Sequence, residues 1–327
     1  MKRRAAILLG LTGAAAIAAF VGWTAFSTDL GRARVRVGSG SAVIASRFGP
    51  LEYAQAGEGH AVLVIHGTGG GFDQGMEFGQ RLVNDGWRVI APSRFGYLRS
   101  AYPDDPSSAN QADAYVDLLD ELGIEKAAII GVSAGALSAI EFAVRHPDRC
   151  AALVAVVPAA YAPGRPPVTP PNAFSAAIIE YALKSDALFW VGNTFAEDAM
   201  IAALLATDPA LVRSAAPSER SRARKVLKDI LPVSERTHGL LNDARLAGAP
   251  SPAAVETIRA PTLAISLEDD RFQTLAAARH LAGTVPGARL LSFPSGGHVW
   301  VGHNDDVFAA IDQTLADAFA LETLSVP

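Results

Sequence analysis

The apolar positions of this chain fall into short continuous runs, separated by longer segments of mixed polarity. Runs of this kind are typical of strands that are covered on both faces. They occupy residues 61–65, 87–91, 127–132, 151–157, 262–266 and 289–293. Two shorter runs, 42–45 and 51–54, predict a hairpin through Gly49-Pro50. The intervening segments have helical spacing. They are a helix capped by Ser108 and stopped by Gly123, and helices over 134–145, 274–282 and 305–321. The alternation predicts an α/β fold, a mostly parallel sheet with helices on both faces.

One long stretch interrupts this alternation. Residues 159–255 are rich in Ala, Leu and Arg at helical spacing, and they open with the Pro-rich segment 163–171. The strand pattern resumes after them, so they predict a helical insertion in one sheet domain rather than a second domain. The sheet core is then formed by residues 42–158 and 256–327.

The start of the chain has a different pattern. Lys2, Arg3 and Arg4 precede 24 residues, Ala5 to Thr28, that carry no charge. About 20 apolar residues suffice to cross a bilayer, so residues 1–28 predict a membrane anchor or a secretory signal peptide. Residues 29–41 then read as a linker. Either interpretation places the rest of the chain outside the cytoplasm, in the periplasm or at the cell surface. A buried amino-terminal helix is the alternative.

Composition narrows the classes of partner. The 327 residues are 50% hydrophobic and 19% charged, with a mean hydropathy of +0.22, and part of the apolar excess is the uncharged leader. A net charge of −5 argues against binding to nucleic acid. One cysteine, Cys150, excludes an intramolecular disulfide framework and a cysteine-cluster metal site. Nothing in the sequence favours one oligomeric state over another.

Gly131-Val132-Ser133-Ala134-Gly135 follows a predicted strand and precedes a predicted helix. A strand-to-helix turn this sharp needs small neighbours and lifts its central side chain above the carboxyl edge of the sheet. Ser133 is therefore the candidate nucleophile.

A serine hydroxyl needs a base, and the base needs an acid that orients it. His298 follows the last predicted strand through a glycine-rich loop, with His303 as its rival. Asp270 follows the strand over 262–266, with Asp269 as the alternative. The order serine, aspartate, histidine favours Ser133, Asp270 and His298 as a triad.

The run His66-Gly67-Thr68-Gly69-Gly70-Gly71 follows the strand that ends at Ile65. Glycines let backbone N–H groups approach a substrate oxygen that becomes negative during acyl transfer. The amides of Thr68 and Ala134 are the predicted oxyanion-hole donors, with Gly69 as an alternative to Thr68, and His66 is expected to brace the loop. The run lacks the Gly-Lys-Ser/Thr ending of a phosphate-binding loop.

With these motifs together, the chain resembles the α/β-hydrolase superfamily over residues 42–321. The resemblance implies that 159–255 is the cap of that fold. Serine at the elbow, in place of aspartate, disfavours haloalkane dehalogenase and epoxide hydrolase activity. Where many relatives carry Asp-x-x-Gly-x-Gly-x-Ser, this chain has Ser93 in place of the acid and Leu98 in place of the second glycine.

The expected function is a serine hydrolase that cleaves a small, apolar carboxylic ester or related acyl substrate, without metal or organic cofactor. Perhydrolysis or carbon–carbon bond hydrolysis by the same triad is the alternative, followed by a non-catalytic ligand-binding protein. Cys150 is expected to be a buried thiol rather than a nucleophile. Four aromatic residues of the cap could line the substrate pocket or serve only in packing: Phe174, Phe189, Trp190 and Phe195.

Overall fold

A computed structural model describes residues 2–167, 181 and 183–324. These residues form an eight-stranded sheet. The strands are β1 Ala42–Ser46, β2 Gly49–Ala56, β3 Ala61–Ile65, β4 Arg88–Pro92, β5 Ala127–Val132, β6 Cys150–Val156, β7 Thr262–Leu267 and β8 Arg289–Phe293. Their spatial order is β1-β2-β4-β3-β5-β6-β7-β8, with β1, β2 and β4 paired antiparallel and all further neighbours parallel. The predicted α/β fold, including the hairpin at its edge, is confirmed.

The helices of the described residues complete the layers. They are α1 Lys2–Val37, α2 Phe72–Asn84, α3 Ser108–Glu121, α4 Gly135–Arg145, α5 Asp186–Phe195, α6 Glu197–Leu204, α7 Pro209–Ser214, α8 Pro217–Lys228, α9 Thr237–Gly248, α10 Thr274–Thr284 and α11 Asn304–Leu324. One apolar cluster joins one sheet face to α3, α4 and α10, and a second joins the other face to α2 and α11. In β3, Leu63 points to the first cluster and Val64 to the second, which explains the unbroken apolar runs.

The predicted start of α3 is wrong by one residue. Its N-cap is Ser107, whose hydroxyl oxygen accepts the amide N–H of Asn110 at 3.3 Å. Ser108 is the first helical residue. Both serines are residue types that suit a cap position, so the sequence alone does not distinguish them.

In the part of the cap that the structure describes, residues 159–167, 181 and 183–255, the chain forms α5 to α9 and short 3₁₀ turns, as expected for a helical insertion. Of the aromatic residues considered for the pocket, Phe189 and Trp190 are buried in an apolar cluster that joins the cap to Ala33 of α1 and to Tyr97, and Phe195 is exposed. Phe174 lies outside the described residues. The two buried rings are therefore packing residues of the cap.

The linker prediction over residues 29–41 is wrong for most of its length, because α1 continues to Val37. Ala33 and Val37, one helical turn apart, are buried against the body. Phe26 meets the Trp190 ring edge to face at 5.8 Å, and Trp190 Nε1 donates to Asp29. The alternating charged and apolar residues over 32–37 thus belong to a helix whose Ala33 and Val37 pack while Val35 is exposed. Among the helices of the described residues, none combines the length and apolar character that a membrane crossing requires.

Candidate active site

The turn between β5 and α4 holds Ser133 in a left-handed conformation, with φ of 53°. Residues with a side chain rarely adopt this conformation unless the surrounding structure imposes it. Both predicted glycines are needed here. A Cβ on Gly131 would lie 2.7 Å from the Cβ of Ala139, and one on Gly135 would lie 2.5 Å from the carbonyl oxygen of Ile65. The structure thus places Ser133 on a sharp strand-to-helix turn at the carboxyl edge of the sheet.

His298 and Asp270 meet Ser133 at this edge. The Oγ of Ser133 lies 2.8 Å from Nε2 of His298, and Nδ1 of His298 lies 2.9 Å from Oδ2 of Asp270. The carboxylate of Asp270 also accepts the Thr274 hydroxyl and the Phe272 amide N–H. The Phe272 ring meets the His298 ring edge to face at 5.0 Å. The three predicted triad residues therefore lie in one hydrogen-bonded row.

The two rival residues have other positions. Asp269 accepts the amide N–H groups of Gly296 and Gly297, at 3.1 and 2.8 Å, and so anchors the loop that carries His298. His303 stacks on Phe293 with ring centroids 4.1 Å apart. The geometry thus favours Asp270 over Asp269 and His298 over His303.

The loop after β3 lies against the nucleophile, since a Cβ on Gly67 would lie 3.3 Å from the Cβ of Ser133. Within the part of the chain that the structure describes, the amide N–H groups of Thr68 and Ala134 have no hydrogen-bond acceptor. The amide of Gly69 instead donates to the Tyr97 hydroxyl at 3.2 Å. An oxyanion donor must be free to meet the substrate oxygen, so this difference favours Thr68 over Gly69.

Comparison with known proteins agrees with this architecture. The family described as the alpha/beta hydrolase fold matches residues 60–301. The chain belongs to the α/β-hydrolase family. The similarity indicated by the sequence motifs is thereby confirmed.

Three similar proteins illustrate the range of this hydrolase family. A 2-hydroxy-6-oxononadienedioate/2-hydroxy-6-oxononatrienedioate hydrolase of Comamonas testosteroni is 30% identical over 249 residues, 74% of this chain and 82% of that protein. The hydrolase YcgS of Bacillus subtilis is 43% identical over 102 residues, 31% of this chain and only 35% of that protein. An α/β-hydrolase structure from Nakamurella multipartita has a TM-score of 0.68 at 23% identity, covering 84% of this chain and 98% of that chain.

A buried ion pair that the sequence did not indicate supports the loop of this α/β hydrolase. Arg94 binds Asp243 of α9 through both terminal nitrogens, each at 2.6 Å. Its other donors reach the carbonyl oxygens of His66 and Gly67, at 3.0 and 3.1 Å. Asp243 also accepts the Tyr97 hydroxyl at 2.5 Å. The cap thereby holds the glycine loop through Arg94 and Tyr97.

A second buried pair lies at the end of the same loop. Arg236, which directly precedes α9 in the cap, donates to the carbonyl oxygen of Gly70 and to both carboxylate oxygens of Asp73 in α2. Sequence reasoning missed these residues because isolated arginines and aspartates usually lie on the solvated surface. The run from Ser93 to Tyr97 carried the only signal, as a departure from the family pattern. Ser93 itself is buried and accepts the amide N–H of Phe72 at the start of α2.

Burial and charge set the protonation of the site. Burial alone would raise the pKa of Asp270, but His298 and the hydrogen bonds to the carboxylate bring that pKa below its usual range. Burial and the charge of Arg94 hold the pKa of His66 well below its ordinary value. His66 is therefore neutral, with Nε2 accepting the Arg94 amide N–H and Nδ1 beside the Gly67 carbonyl oxygen. As expected, His66 braces the loop.

Proposed function

We propose that this α/β hydrolase is a serine hydrolase that cleaves a carboxylic ester or related acyl compound through an acyl-enzyme. The observation that carries the proposal is the row from Ser133 through His298 to Asp270, with 2.8 and 2.9 Å between successive polar atoms. Nucleophile, base and orienting acid are all within hydrogen-bond reach, which is the requirement for activating a serine hydroxyl.

The geometry supports the following sequence of steps. Ser133 Oγ attacks the carbonyl carbon while His298 Nε2 takes its proton, and the carbonyl electron pair moves onto the oxygen. The amides of Thr68 and Ala134 stabilise that oxyanion, a contribution of about 3 kcal/mol for each donor. When the intermediate collapses, His298 gives the proton to the leaving alcohol. Water then attacks the acyl carbon while His298 takes a proton from it. When this second intermediate collapses, His298 gives the proton to Ser133 Oγ, and the acid product is released. Asp270 holds the Nδ1 proton of His298 throughout.

A fluorophosphonate probe tests the nucleophile directly. Wild-type protein should be labelled, and Ser133→Ala should not. Ser138, a buried serine in α4, gives the matched control Ser138→Ala, which should keep its label. A p-nitrophenyl ester panel of graded acyl length on the full chain then measures the reaction class and the acyl preference. Unlabelled wild type, or label that persists in Ser133→Ala, would refute the proposal and favour the non-catalytic alternative.

A second candidate is hydrolysis of a carbon–carbon bond next to a ketone, by the same triad. Two observations favour it: the similarity to the Comamonas dienedioate hydrolase, and Arg165 beside the triad. Arg165 donates to the carbonyl oxygen of Phe272 at 3.3 Å, and its Nε has no partner among the described residues. A guanidinium in this position can pair with the carboxylate of a dienoate.

Turnover measured with each class of substrate separates these candidate functions. Turnover of 2-hydroxy-6-oxo-6-phenylhexa-2,4-dienoate, lost in Arg165→Gln while ester turnover persists, would establish carbon–carbon hydrolysis. Peroxide-dependent formation of a peracid would instead indicate the perhydrolase alternative. Turnover of the esters alone supports the first proposal.

We also infer that the uncharged stretch from Ala5 to Thr28 directs export or membrane attachment. Ile17, Phe20 and Trp23 on α1 are exposed, an unfavourable arrangement for apolar side chains in water. Cell fractionation tests the inference. Recovery of the full-length chain, leader intact, in the soluble cytoplasm would refute it.

A further inference from the structure

Arg36, in the last turn of α1, connects this helix to α2 and to the segment after α8. Arg36 donates from Nε to Oδ2 of Asp73 at 3.0 Å, and its Nη1 lies 3.2 Å from Oδ1 of Asp229. Its Nη2 donates to the carbonyl oxygens of Asp229 and Leu231. Every nitrogen of this guanidinium therefore meets an acceptor in α2 or just after α8.

Asp73 connects that arginine to the glycine loop. Its side chain is only 5% exposed and receives Arg36 on one side and Arg236 on the other. Arg236 is fully buried and also donates to the Gly70 carbonyl oxygen. A chain of contacts thus runs from Arg36 through Asp73 and Arg236 to the loop that carries Thr68.

The groups that make these contacts are closely packed. A Cβ on Gly71 would lie 2.9 Å from Nη1 of Arg236 and 3.0 Å from Oδ1 of Asp73. A Cβ on Gly70 would lie 2.8 Å from the Cβ of His66. A shift of the Asp73 carboxylate is therefore passed on to the backbone of Gly70 and Gly71, since packed groups cannot absorb it.

Arg36 also helps to keep the buried carboxylate of Asp73 ionised. Burial alone would raise the pKa of Asp73, but the two guanidinium groups bring it below its ordinary value. Without Arg36, Asp73 keeps one cationic partner, and the carbonyl oxygen of Leu231 loses the Arg36 donor. The Asp73 carboxylate would then re-centre on Arg236.

We propose that Arg36 is a positioning residue for hydrolysis: through Asp73 and Arg236 it fixes the backbone of the loop that presents the Thr68 amide to the oxyanion. The proposal rests on the proposed function. According to this proposal, the last turn of α1 contributes to catalysis, even though Arg36 touches no reacting atom.

The same helix offers a matched control. Arg34 lies two residues earlier with a side chain 59% exposed, and its nearest carboxylate oxygens, on Asp186 and Glu235, are 3.9 and 3.8 Å away. Arg34→Gln removes the same charge from the same helix without touching Asp73. Arg36→Lys keeps the charge but loses the branched donor set.

The experiment measures oxyanion binding apart from folding, in the full chain. For Arg36→Gln we expect kcat for a p-nitrophenyl ester to fall about tenfold, a fraction of the loss of a whole oxyanion donor, with KM changed less than about twofold. The inhibition constant of an aryl trifluoromethyl ketone, which forms an oxyanion on Ser133, should rise by the same factor. That of the matching methyl ketone should not change. Arg36→Lys should recover part of kcat, and Arg34→Gln should match wild type.

Two results would overturn the proposal. One is an Arg36→Gln protein whose Tm falls while kcat and trifluoromethyl ketone binding per folded molecule stay at wild-type values, which would make the role purely structural. The other is equal loss in Arg34→Gln. Failure of the proposed function is recognised separately, because wild type itself would then neither bind the trifluoromethyl ketone nor react with the fluorophosphonate, and the positioning role would fall with it.

Discussion

The two sides of Ser133 are held in different ways. On the histidine side, Asp270, Phe272 and Thr274 lie within five consecutive residues after β7, and one carboxylate collects their hydrogen bonds. On the oxyanion side, two arginines and two aspartates are buried, and the ion pairs join Arg94 to Asp243, 149 positions apart, and Arg236 to Asp73, 163 apart. The supports of the histidine side are close together in the sequence and centre on one carboxylate. The other side is assembled from distant segments by charge.

This difference has an energetic consequence. A buried ion pair adds little net stability, because desolvation offsets its attraction, but loss of one partner leaves an uncompensated charge. We therefore expect substitutions on the histidine side to change chemistry more than stability. Substitutions of the charged residues on the oxyanion side should change both, since the same charges fix the loop and hold the cap to the core.

The largest expected effect separates chemistry from stability on the histidine side. Asp270→Asn keeps the volume but no longer holds the Nδ1 proton of His298, so kcat should fall roughly ten-thousand-fold while Tm changes little. Ester kinetics and thermal unfolding measure the two effects. Asp269→Asn is the control, because that residue only anchors the amides of Gly296 and Gly297. A larger loss of kcat in Asp269→Asn would reverse the assignment.

The second prediction concerns stability on the oxyanion side. Asp243→Ala leaves Arg94 buried without its carboxylate, so the free energy of unfolding should fall by about 3–5 kcal/mol, and kcat should fall with it. Urea unfolding measures the first quantity. The exposed cap pair Arg213 and Asp198 supplies the control, with side chains 54% and 58% exposed. Asp198→Ala should cost less than about 1 kcal/mol. Equal losses would mean that the burial of Arg94 has no special cost.

The same contrast explains what the sequence could predict. Apolar runs and glycines near strand ends act locally, so the sheet, the elbow at Ser133 and the residues Asp270 and His298 follow from pattern and order. The oxyanion supports depend on which distant loops meet, and no local pattern encodes the pairing of Arg94 with Asp243. Helix α1 shows the same limit. Ala33 and Val37 have the spacing of a buried face, but the sequence placed them in a linker over residues 29–41, and contacts with distant residues, such as those of Arg36 with Asp73 and Asp229, make this segment helical and packed.

A third prediction uses pH to probe the oxyanion side alone. His66 is buried and neutral, with a pKa well below its ordinary 6.5. Below pH 6.5 the unfolded chain therefore binds a proton that the folded chain does not, and stability should fall by up to about 1.4 kcal/mol for each pH unit. His66→Gln should remove this part of the slope. Urea unfolding between pH 7 and pH 5, about the range where histidine titrates, measures it, with the exposed His60→Gln as control. An unchanged slope in His66→Gln would contradict the burial argument.

The smallest expected effect distinguishes the two candidate donors of the loop. Tyr97→Phe removes the hydroxyl that accepts the Gly69 amide and that donates to Asp243. Two hydrogen bonds are lost, one of them to a carboxylate, so the free energy of unfolding should fall by about 2–4 kcal/mol, and the small effect is the one on kcat. If Thr68 is the oxyanion donor, kcat should stay within about threefold of wild type, because the freed amide N–H of Gly69 makes no hydrogen bond to the substrate oxygen. A clear rise in kcat would instead assign the donor to Gly69, since Tyr97 competes for that amide in the wild-type protein. Ester kinetics at saturating substrate therefore decide whether the charged side of the site acts through Thr68.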